Sequence, residues 1–353
     1  MKKETEEFCR FDVDGTLKEY LITWFENQYS ARIEATTRAL AAYVLYDLIL
    51  PCIEHDVKLR FVNADYLNDL LVQVNVITPS AANKAREFLN QCMKEAVASG
   101  LLINNPMQGV KYYPRDNPRV RVLGKAKIRS LLRAAVGSEW YLEILLGLFC
   151  GLRKGEIYGL KFGDVDWERG VISINRQITS NPKVESGSSQ ISAYQVIEKK
   201  PKTENSFRSL RVPEVVMEQL KIRRQRVERD RQNMGDIYID KDYICCRNNG
   251  LPHAMSAFNT ALTKLCDRNG IPKISVHALR HMFATILLEQ WVPLVKVSAM
   301  LGHSSINTTF EYYCEVIDEQ DQIVTFINDK LAASVKGEEN GDVCIYSVDG
   351  QNG

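Results

Sequence analysis

The chain has no long hydrophobic run and no paired cysteines of the kind that bind metals. None of its uninterrupted apolar stretches approaches the length of a membrane span. Its first residues, Met1-Lys2-Lys3-Glu4, lack the apolar core of a secretory signal peptide. The nine cysteines are scattered and none forms a Cys-x-x-Cys pair, which argues against zinc ribbons and against the disulfide framework of a small secreted domain. The sequence therefore predicts a cytoplasmic protein without a membrane span.

The chain also has almost no net charge, although its charges are unevenly distributed. The formal net charge is +1, from 45 Lys and Arg against 44 Asp and Glu. Residues 1–110 carry 11 basic and 15 acidic side chains, residues 111–316 carry 32 and 21, and residues 317–353 carry 2 and 8. Positive charge is thus concentrated in the middle of the chain, where it suits a polyanionic substrate.

The length of 353 residues is enough for two domains with hydrophobic cores of their own. After an N-terminal tail at residues 1–11, residues 12–108 have apolar positions at helical spacing in four segments, which predicts an all-helical first domain. These segments are 17–29, 31–50, 66–76 and 82–97. Residues 109–122 follow as a basic linker, in which Pro114 and Pro118 disfavour a helix.

Residues 123–317 have the pattern of a mixed second domain. Helical periodicity covers 125–135, 140–150 and 153–160, and it resumes after Pro213. Alternating apolar residues predict one small antiparallel sheet, with strands at 171–177, 194–198 and 207–212 and a polar loop at 180–189. In this interpretation Lys202 lies at the tip of the hairpin between the last two strands. The expected fold is mostly α-helical with a small antiparallel β-sheet.

Several polar residues of this second region stand in short motifs that can handle a phosphate. They are Arg153, Lys202, His277, Arg280 and His303, followed by the pair Tyr312-Tyr313. Arginine offsets charge on the non-bridging oxygens of a phosphodiester, tyrosine can attack the phosphorus, and lysine or histidine can move protons. Such a set can cleave a phosphodiester without a metal ion.

Plainer interpretations exist for the first two of these residues. Arg153 and Glu156 have the i,i+3 spacing of an ion pair on a helix surface. A lysine at a hairpin tip, such as Lys202, is usually a solvated charge, and Lys199 and Lys200 are neighbouring alternatives for its role.

The histidines also allow other interpretations. His277 and His281 are four residues apart and could form a zinc site with His303. The glutamate of a His-Glu-x-x-His motif is missing, however, and no carboxylate is placed to activate a metal-bound water. A lone histidine at a predicted helix junction, such as His303, is more often a packing residue, and His281 is interpreted as structural or as a DNA contact.

The longer motifs resemble those of the tyrosine recombinases, the phage-integrase family. Residues 151–166 are similar to the first arginine box of that family, and residues 275–281 to the box that contains His277 and Arg280. The run Leu301-Gly302-His303-Ser304 is similar to its Leu-Gly-His-Ser box, and Pro201-Lys202-Thr203 to the turn that carries its catalytic lysine. The resemblance extends from Gly15 to about Ala333.

The resemblance implies a set of catalytic residues: Arg153, Lys202, His277, Arg280, His303 and Tyr313. Tyr312 and Tyr313 follow His303 by nine and ten residues, and members of the family show both spacings. The run from Thr308 to Val316 is similar to the pattern Thr-Thr-x-x-x-Tyr-x-x-Val, which favours Tyr313. Tyr312 stays as the alternative nucleophile.

The resemblance also implies a two-domain clamp on duplex DNA. Residues 12–108 would be a four-helix, SAM-like core-DNA-binding domain and residues 123–317 an α/β catalytic domain. Residues 318–335 would form a helix exchanged between protomers, and residues 336–353 a loose acidic tail. Only about eleven residues precede the first predicted helix, so we expect no additional arm-binding domain. A basic linker can be merely solvated, but between two such domains it would contact DNA, with Lys111, Arg115, Arg119, Arg121 and Lys125 as the candidates.

The implied reaction is site-specific recombination, used for the integration or excision of a mobile element. Tyr313 would form a 3′-phosphotyrosyl link, and a partner duplex would reverse the step through a Holliday junction, with no cofactor, metal ion or ATP. The expected partners are double-stranded DNA with a specific site, further copies of the chain in a tetramer, and accessory DNA-bending or directionality factors. Two alternatives stay open: DNA cleavage like that of a type IB topoisomerase, without partner exchange, and a catalytically dead DNA-binding relative.

Overall fold

In the computed structural model, which describes residues 14–114, 122–201 and 206–313, four α-helices form the first part of the chain. They are α1 (Leu17–Trp24), α2 (Ala35–Tyr43), α3 (Ala64–Asn75) and α4 (Pro79–Ala98). Thr16 and Glu19 form a capping box at the start of α1, since each side chain accepts the backbone N–H of the other residue. α1 and α2 continue as π-helical turns over Phe25–Tyr29 and Val44–Ile49, and all four helices overlap the segments of helical periodicity.

These helices enclose a hydrophobic core, called here the first core, that extends from Leu17 to Val110. Trp24 is fully buried within it, and its ring stacks on Tyr29 with 4.6 Å between the centroids. The indole N–H of Trp24 donates to Glu95 at 2.8 Å, so the buried ring keeps a hydrogen-bond partner. The limits of the domain, 12–108, stay a prediction.

The second core extends from Leu123 to Met282. The helices of this part of the chain are α5 (Lys125–Ala135), α6 (Tyr141–Phe149), α7 (Lys154–Gly159), α8 (Glu214–Met234), α9 (Ala257–Arg268), α10 (Val276–Glu289), α11 (Leu294–Leu301) and α12 (Ile306–Tyr313). The end of α10 and α11 share a smaller hydrophobic cluster of their own. Helix α6 is central, and a Cβ at Gly147 would lie 3.0 Å from Leu279 of α10. This glycine therefore permits the close packing of α6 on α10. Within the described residues, no helix is both long and apolar enough for a bilayer span.

The strands form two antiparallel sheets rather than one. β1 (Val165–Asp166), β2 (Val171–Ile174) and β5 (Arg208–Arg211) make a three-stranded sheet in the order β1-β2-β5. β3 (Gln177–Val184) and β4 (Ile191–Lys199) make a separate two-stranded hairpin. The prediction of a single sheet is therefore wrong, although the antiparallel pairing is as expected.

The first half of the polar stretch predicted as a loop at 180–189 is strand, because β3 continues through Val184, and the second half is the hairpin turn. Most of β4 is exposed on both faces, so the hairpin lacks the apolar alternation that reveals a strand with one buried face. Pro182 is tolerated, since a strand at a sheet edge need not donate every N–H. Because β4 pairs with β3 and not with β5, the predicted hairpin between strands 194–198 and 207–212 is wrong.

The β3–β4 hairpin also contacts the first core. At its turn, Ser186 Oγ and the Gly187 N–H each donate to the Glu26 carboxylate at 3.0 Å. Val184 packs against the first core, and Lys199 Nζ lies 2.8 Å from Glu34 Oε2 at the other end of the hairpin. The hairpin therefore joins the two cores.

Candidate active site

Segments that are far apart in the sequence meet at one cleft of about 310 Å³. Arg153 lines this cleft from the position before α7, and His303 lines it from the turn after α11. Pro201 and Ser206, which flank residues 202–205, line it as well. The cleft thus brings together the first arginine motif, the Leu-Gly-His-Ser motif and both ends of the lysine segment.

The Glu156 carboxylate forms the floor of this cleft and is only 3% exposed. Arg153 Nη1 donates to Glu156 at 2.9 Å, whereas Arg208 binds both carboxylate oxygens, at 3.1 and 2.9 Å. Arg280 Nη1 lies 3.9 Å from the same carboxylate. Burial alone would raise the pKa of Glu156, but the hydrogen bonds and charge of Arg208, and then the charges of Arg153 and Arg280, lower that pKa. The expected Arg153–Glu156 ion pair therefore forms, but on a buried carboxylate rather than on a helix surface.

The same three arginines also bind three consecutive carbonyl groups at the end of α11. The pairs are Arg208 Nε with Met300 O (2.7 Å), Arg280 Nη2 with Leu301 O (2.6 Å) and Arg153 Nη2 with Gly302 O (3.3 Å). The last carbonyls of a helix have no partner within the helix and carry partial negative charge. The guanidinium groups are therefore held in fixed positions between an ionised carboxylate and a helix C-terminus.

Two glycines create the backbone turns that this arrangement needs. Gly151 has a φ of +62°, and a Cβ there would lie 2.5 Å from the Phe283 ring. Its carbonyl accepts a hydrogen bond from Arg280 Nη1 at 2.7 Å. Gly302 ends α11 in the left-handed conformation, with φ +65°. Gly151 turns the chain two residues before Arg153, and Gly302 turns it directly before His303.

His303 is half-buried, and its Nδ1 lies 2.7 Å from Oγ1 of the buried Thr309 on α12. Burial and the positive charges of Arg280, Arg153 and Arg208 lower the pKa of His303 to about 4. The imidazole is therefore neutral near neutral pH, the form that can accept a proton.

His277 is exposed in the first turn of α10, and its ring meets the buried His281 edge to face, with 4.5 Å between the centroids. Partial burial and the charges of Arg280 and Arg153 lower the pKa of His277. Burial, followed by the neighbouring His277 and Arg280, lowers the pKa of His281 to about 4. His281 is thus a packing residue beneath His277. In the part of the chain that the structure describes, no group of three His, Cys, Asp or Glu side chains could hold a metal ion.

We expect the protein to lose stability as the pH falls from about 6.5 to about 4. The pKa of His303 and of His281 is about 4 in the folded protein, below the ordinary value of about 6.5 for an unfolded chain. In this window the unfolded state takes up protons that the folded state does not, so the free energy of unfolding decreases with falling pH. Thermal melting of the wild type and of His303→Asn over this range measures the effect. The variant should show a shallower pH dependence, and equal slopes would contradict the assignment.

The other predicted site residues are only partly within the described chain. Lys111 is exposed, and Lys125 begins α5 with a side chain that is 71% exposed and 3.5 Å from Glu289. Tyr313 is the last described residue and ends α12. The remaining predictions lie outside the described residues: Arg115, Arg119, Arg121, Lys202, the helix at 318–335 and the tail at 336–353.

The sequence interpretation missed Arg208. On β5, Arg208 and the buried Leu210 are two residues apart, so they share one face of the sheet. An arginine at an inward-facing strand position needs a buried acidic partner. That partner is Glu156, which we had expected to pair with Arg153 alone because of their i,i+3 spacing.

Comparison with known proteins identifies a family and several relatives. Residues 121–320 match the model of the phage integrase family. A tyrosine recombinase XerC-like protein of Caldanaerobacter subterraneus subsp. tengcongensis is 31% identical over 242 residues, or 66% of this chain and 61% of that protein. The transposase from transposon Tn916 of Enterococcus faecalis is 27% identical over 184 residues, or 50% of this chain and 42% of the transposase. The matches thus span about three fifths or less of the length of these curated relatives.

Solved structures with a similar fold include two integrases bound to DNA. The Tn1549 transposon integrase in complex with a circular intermediate DNA has a TM-score of 0.68 at 21% identity, and the match covers 83% of this chain and 94% of that one. A lambda integrase tetramer bound to a Holliday junction has a TM-score of 0.59 at 16% identity, with coverage of 85% and 78%. At these identities the similarity establishes the fold, a mostly helical chain with small antiparallel sheets.

Proposed function

Because the chain belongs to the phage integrase family, we propose that it is a site-specific tyrosine recombinase that cuts and rejoins duplex DNA. The observation that carries this proposal is the cleft in which Arg153, His303 and both ends of the Lys202 segment meet above Glu156. A phosphate that enters this cleft meets an arginine cluster with two positive charges in excess of the carboxylate. This excess suits the charge that develops on phosphorus during displacement, and it makes a metal ion dispensable.

The proposed reaction begins with the Tyr313 hydroxyl. Its oxygen attacks the scissile phosphorus, so that a bond between tyrosine oxygen and phosphorus forms and the bond from phosphorus to the 5′ oxygen breaks. A neutral histidine, His303 or His277, accepts the tyrosine proton, and the Lys202 ammonium gives a proton to the leaving 5′ oxygen. Arg153 binds the non-bridging oxygens, while the buried Arg280 adds its charge from beneath the cleft.

The 3′-phosphotyrosyl link retains the energy of the phosphoester, so the reaction needs no ATP. The 5′ hydroxyl of a partner duplex then attacks this link, and strand exchange proceeds through a Holliday junction. Relatives that are named as transposases and integrases support a role in the integration or excision of a mobile element. Accessory DNA-bending or directionality factors are part of the same proposal.

We further propose that the two cores correspond to two halves of a DNA clamp. Residues 12–108 would be the four-helix, SAM-like core-binding domain and residues 123–317 the catalytic domain. The separation of the first core from the second supports this division. The linker at 109–122 would cross the phosphate backbone. The basic residues for this contact are Lys111, Arg115, Arg119 and Arg121 within the linker, and Lys125 shortly after it.

The proposed assembly is a tetramer on two paired DNA sites, in which residues 318–335 pass to a neighbouring protomer. The lambda integrase tetramer on a Holliday junction, which shares the fold, supports this arrangement. The position of these residues directly after Tyr313 would couple placement of the nucleophile to assembly.

We expect covalent capture of DNA to test the proposed function and to persist in excess EDTA. A library of nicked suicide duplexes is incubated with the full chain, and DNA that stays attached to protein under denaturing conditions is recovered and sequenced. After cleavage, the short fragment between the cleavage site and the nick, which carries the 5′ hydroxyl, diffuses away. The reverse reaction then has no nucleophile, and the phosphotyrosyl link is trapped. The selected site is then assayed with and without EDTA, and the rates should agree within about twofold.

Two outcomes would contradict the proposal. Loss of the adduct in EDTA, with recovery on addition of zinc or magnesium, would refute the metal-free mechanism. An adduct that reseals only its own duplex, and never joins a labelled partner duplex with the same site, would favour the topoisomerase-like alternative.

A further inference from the structure

The three arginines around Glu156 differ in how accessible they are. The side chain of Arg153 is 34% exposed, whereas those of Arg208 and Arg280 are 7% and 2% exposed. Arg208 donates two guanidinium bonds to the carboxylate, and Arg280 lies 3.9 Å from it. The Arg153 backbone N–H donates to Glu156 Oε2 at 2.9 Å, and its guanidinium donates one bond of 2.9 Å to Oε1. The second bond of this guanidinium, to the Gly302 carbonyl, is long at 3.3 Å. Arg153 is thus the arginine that a phosphate in the cleft can reach.

Glu156 and a phosphate compete for Arg153. Carboxylate and phosphate oxygens bind a guanidinium through the same charge-assisted hydrogen bonds. A buried carboxylate without cationic partners is strongly unfavourable. If Arg153 were the main partner of Glu156, the carboxylate would therefore hold that arginine tightly. A second cation on Glu156 removes this constraint.

Arg208 is placed to be that second cation. It binds both oxygens of Glu156 in a two-bond fork, which is the preferred geometry of a guanidinium with a carboxylate. It cannot easily turn towards the cleft, because its Nε donates to Met300 O at 2.7 Å and its Nη1 also donates to Ser206 O at 3.3 Å. Among the groups that lower the pKa of Glu156, Arg208 has the largest effect.

We propose that Arg208 is a positioning residue for DNA cleavage: its fixed pair with Glu156 leaves Arg153 able to exchange the carboxylate for the scissile phosphate. This role rests on the proposed function, in which Arg153 binds the phosphate. Arg208 itself does not touch the substrate. The arginine that contacts the phosphate and the arginine that neutralises the carboxylate are then different residues, although both bind Glu156.

The test compares single and double substitutions by the rate of adduct formation on the suicide duplex. Arg208→Gln leaves Glu156 with Arg153, so the rate should fall by about tenfold or more. Adding Glu156→Gln to that variant removes the competing charge, and the double variant should be at least about threefold faster than Arg208→Gln alone. Arg208→Lys keeps a cation opposite Glu156 and should stay within about threefold of the wild type. Arg211→Gln, on the exposed side of the same strand, is the matched control and should stay within about twofold.

A role in folding alone predicts that the rates follow the melting temperatures of the variants, because neutralising both members of a buried ion pair also restores stability. The rates are therefore compared at a temperature at which every variant is folded. A double variant that is no faster than Arg208→Gln, or Arg208→Lys as slow as Arg208→Gln, overturns the proposal. Should Arg208→Gln fail to fold in a melting experiment, the comparison of Glu156→Gln with the double variant decides. Without the carboxylate, Arg208 should matter by less than about twofold, and a larger effect overturns the proposal.

Arg153→Gln separates this proposal from the proposed function. If Arg153→Gln leaves the adduct rate unchanged, the phosphate-binding role of Arg153 is wrong, and the role of Arg208 falls with it. If Arg153→Gln is slow and the double variant shows no recovery, only the role of Arg208 is wrong.

Discussion

Replacing Tyr313 by phenylalanine is expected to abolish the covalent protein–DNA adduct while DNA binding is retained. The hydroxyl oxygen is the atom that would bond to phosphorus, and no other group of this side chain can replace it. We expect the adduct rate to fall by at least about 10⁴-fold, measured on the suicide duplex under denaturing conditions. A gel-shift titration with the same duplex should give the wild-type affinity.

Tyr312→Phe is the matched control, because it removes the same atom one position earlier on α12. Side chains of consecutive residues in a helix point about 100° apart, so only one of the two phenols can face the phosphate in an orientation suited to attack. Both tyrosines lie about one turn after Thr309, which is buried beside His303. Their positions on the helix therefore do not distinguish them, and the choice of Tyr313 as the nucleophile rests on the Thr-Thr-x-x-x-Tyr spacing. An adduct lost in Tyr312→Phe and kept in Tyr313→Phe would reverse the assignment.

Arg280→Met is expected to lose both the adduct and a large part of the folding stability. The guanidinium of Arg280 is buried and donates to the carbonyls of Gly151 and Leu301 at 2.7 and 2.6 Å. Methionine replaces the aliphatic part of the arginine side chain but has no donor, so two buried carbonyls would lose a charged partner, at a cost of about 3 kcal/mol in the free energy of unfolding. Loss of a charge beneath the phosphate should slow cleavage by about 10²-fold or more. Urea denaturation and the adduct assay measure the two effects separately.

Arg153→Met is the informative comparison for Arg280→Met. Arg153 is more exposed, and Arg208 still neutralises Glu156 in its absence. The adduct should therefore be lost with little change in the urea midpoint. An Arg280→Met protein as stable as Arg153→Met would show that the bonds from Arg280 to the two carbonyls contribute little to folding.

The sequence identified the candidate site because its residues lie in short contiguous motifs with local physical causes. Gly151 and Gly302 adopt positive φ values within two residues before Arg153 and His303, so each turn and its functional residue are close together in the chain. The helices could also be predicted from the sequence, because a helix such as α4 buries apolar residues at the helical spacing of three to four positions.

Contacts between distant segments could not be predicted in this way. Arg208 is 52 residues from Glu156 and 92 from Met300, and no periodicity reports such a pairing. The sheet prediction was wrong for a related reason. Alternation of apolar residues indicates which face of a strand is buried, but it does not indicate which strand lies next to it. In β4 most residues are exposed, so the alternation does not reveal a buried face either.

The β3–β4 hairpin has a consequence for how the molecule unfolds. Its strands arise within the second half of the chain, yet Val184 packs against the first core and Glu26 receives two hydrogen bonds from the hairpin turn. Loss of the first core would expose this apolar contact and leave the Glu26 bonds unmade, so each core contributes to the stability of the other. Shared elements of this kind couple local unfolding units into larger cooperative ones. Heat should therefore melt the two cores in one transition. Two cores joined only by the linker would each melt at a temperature of their own.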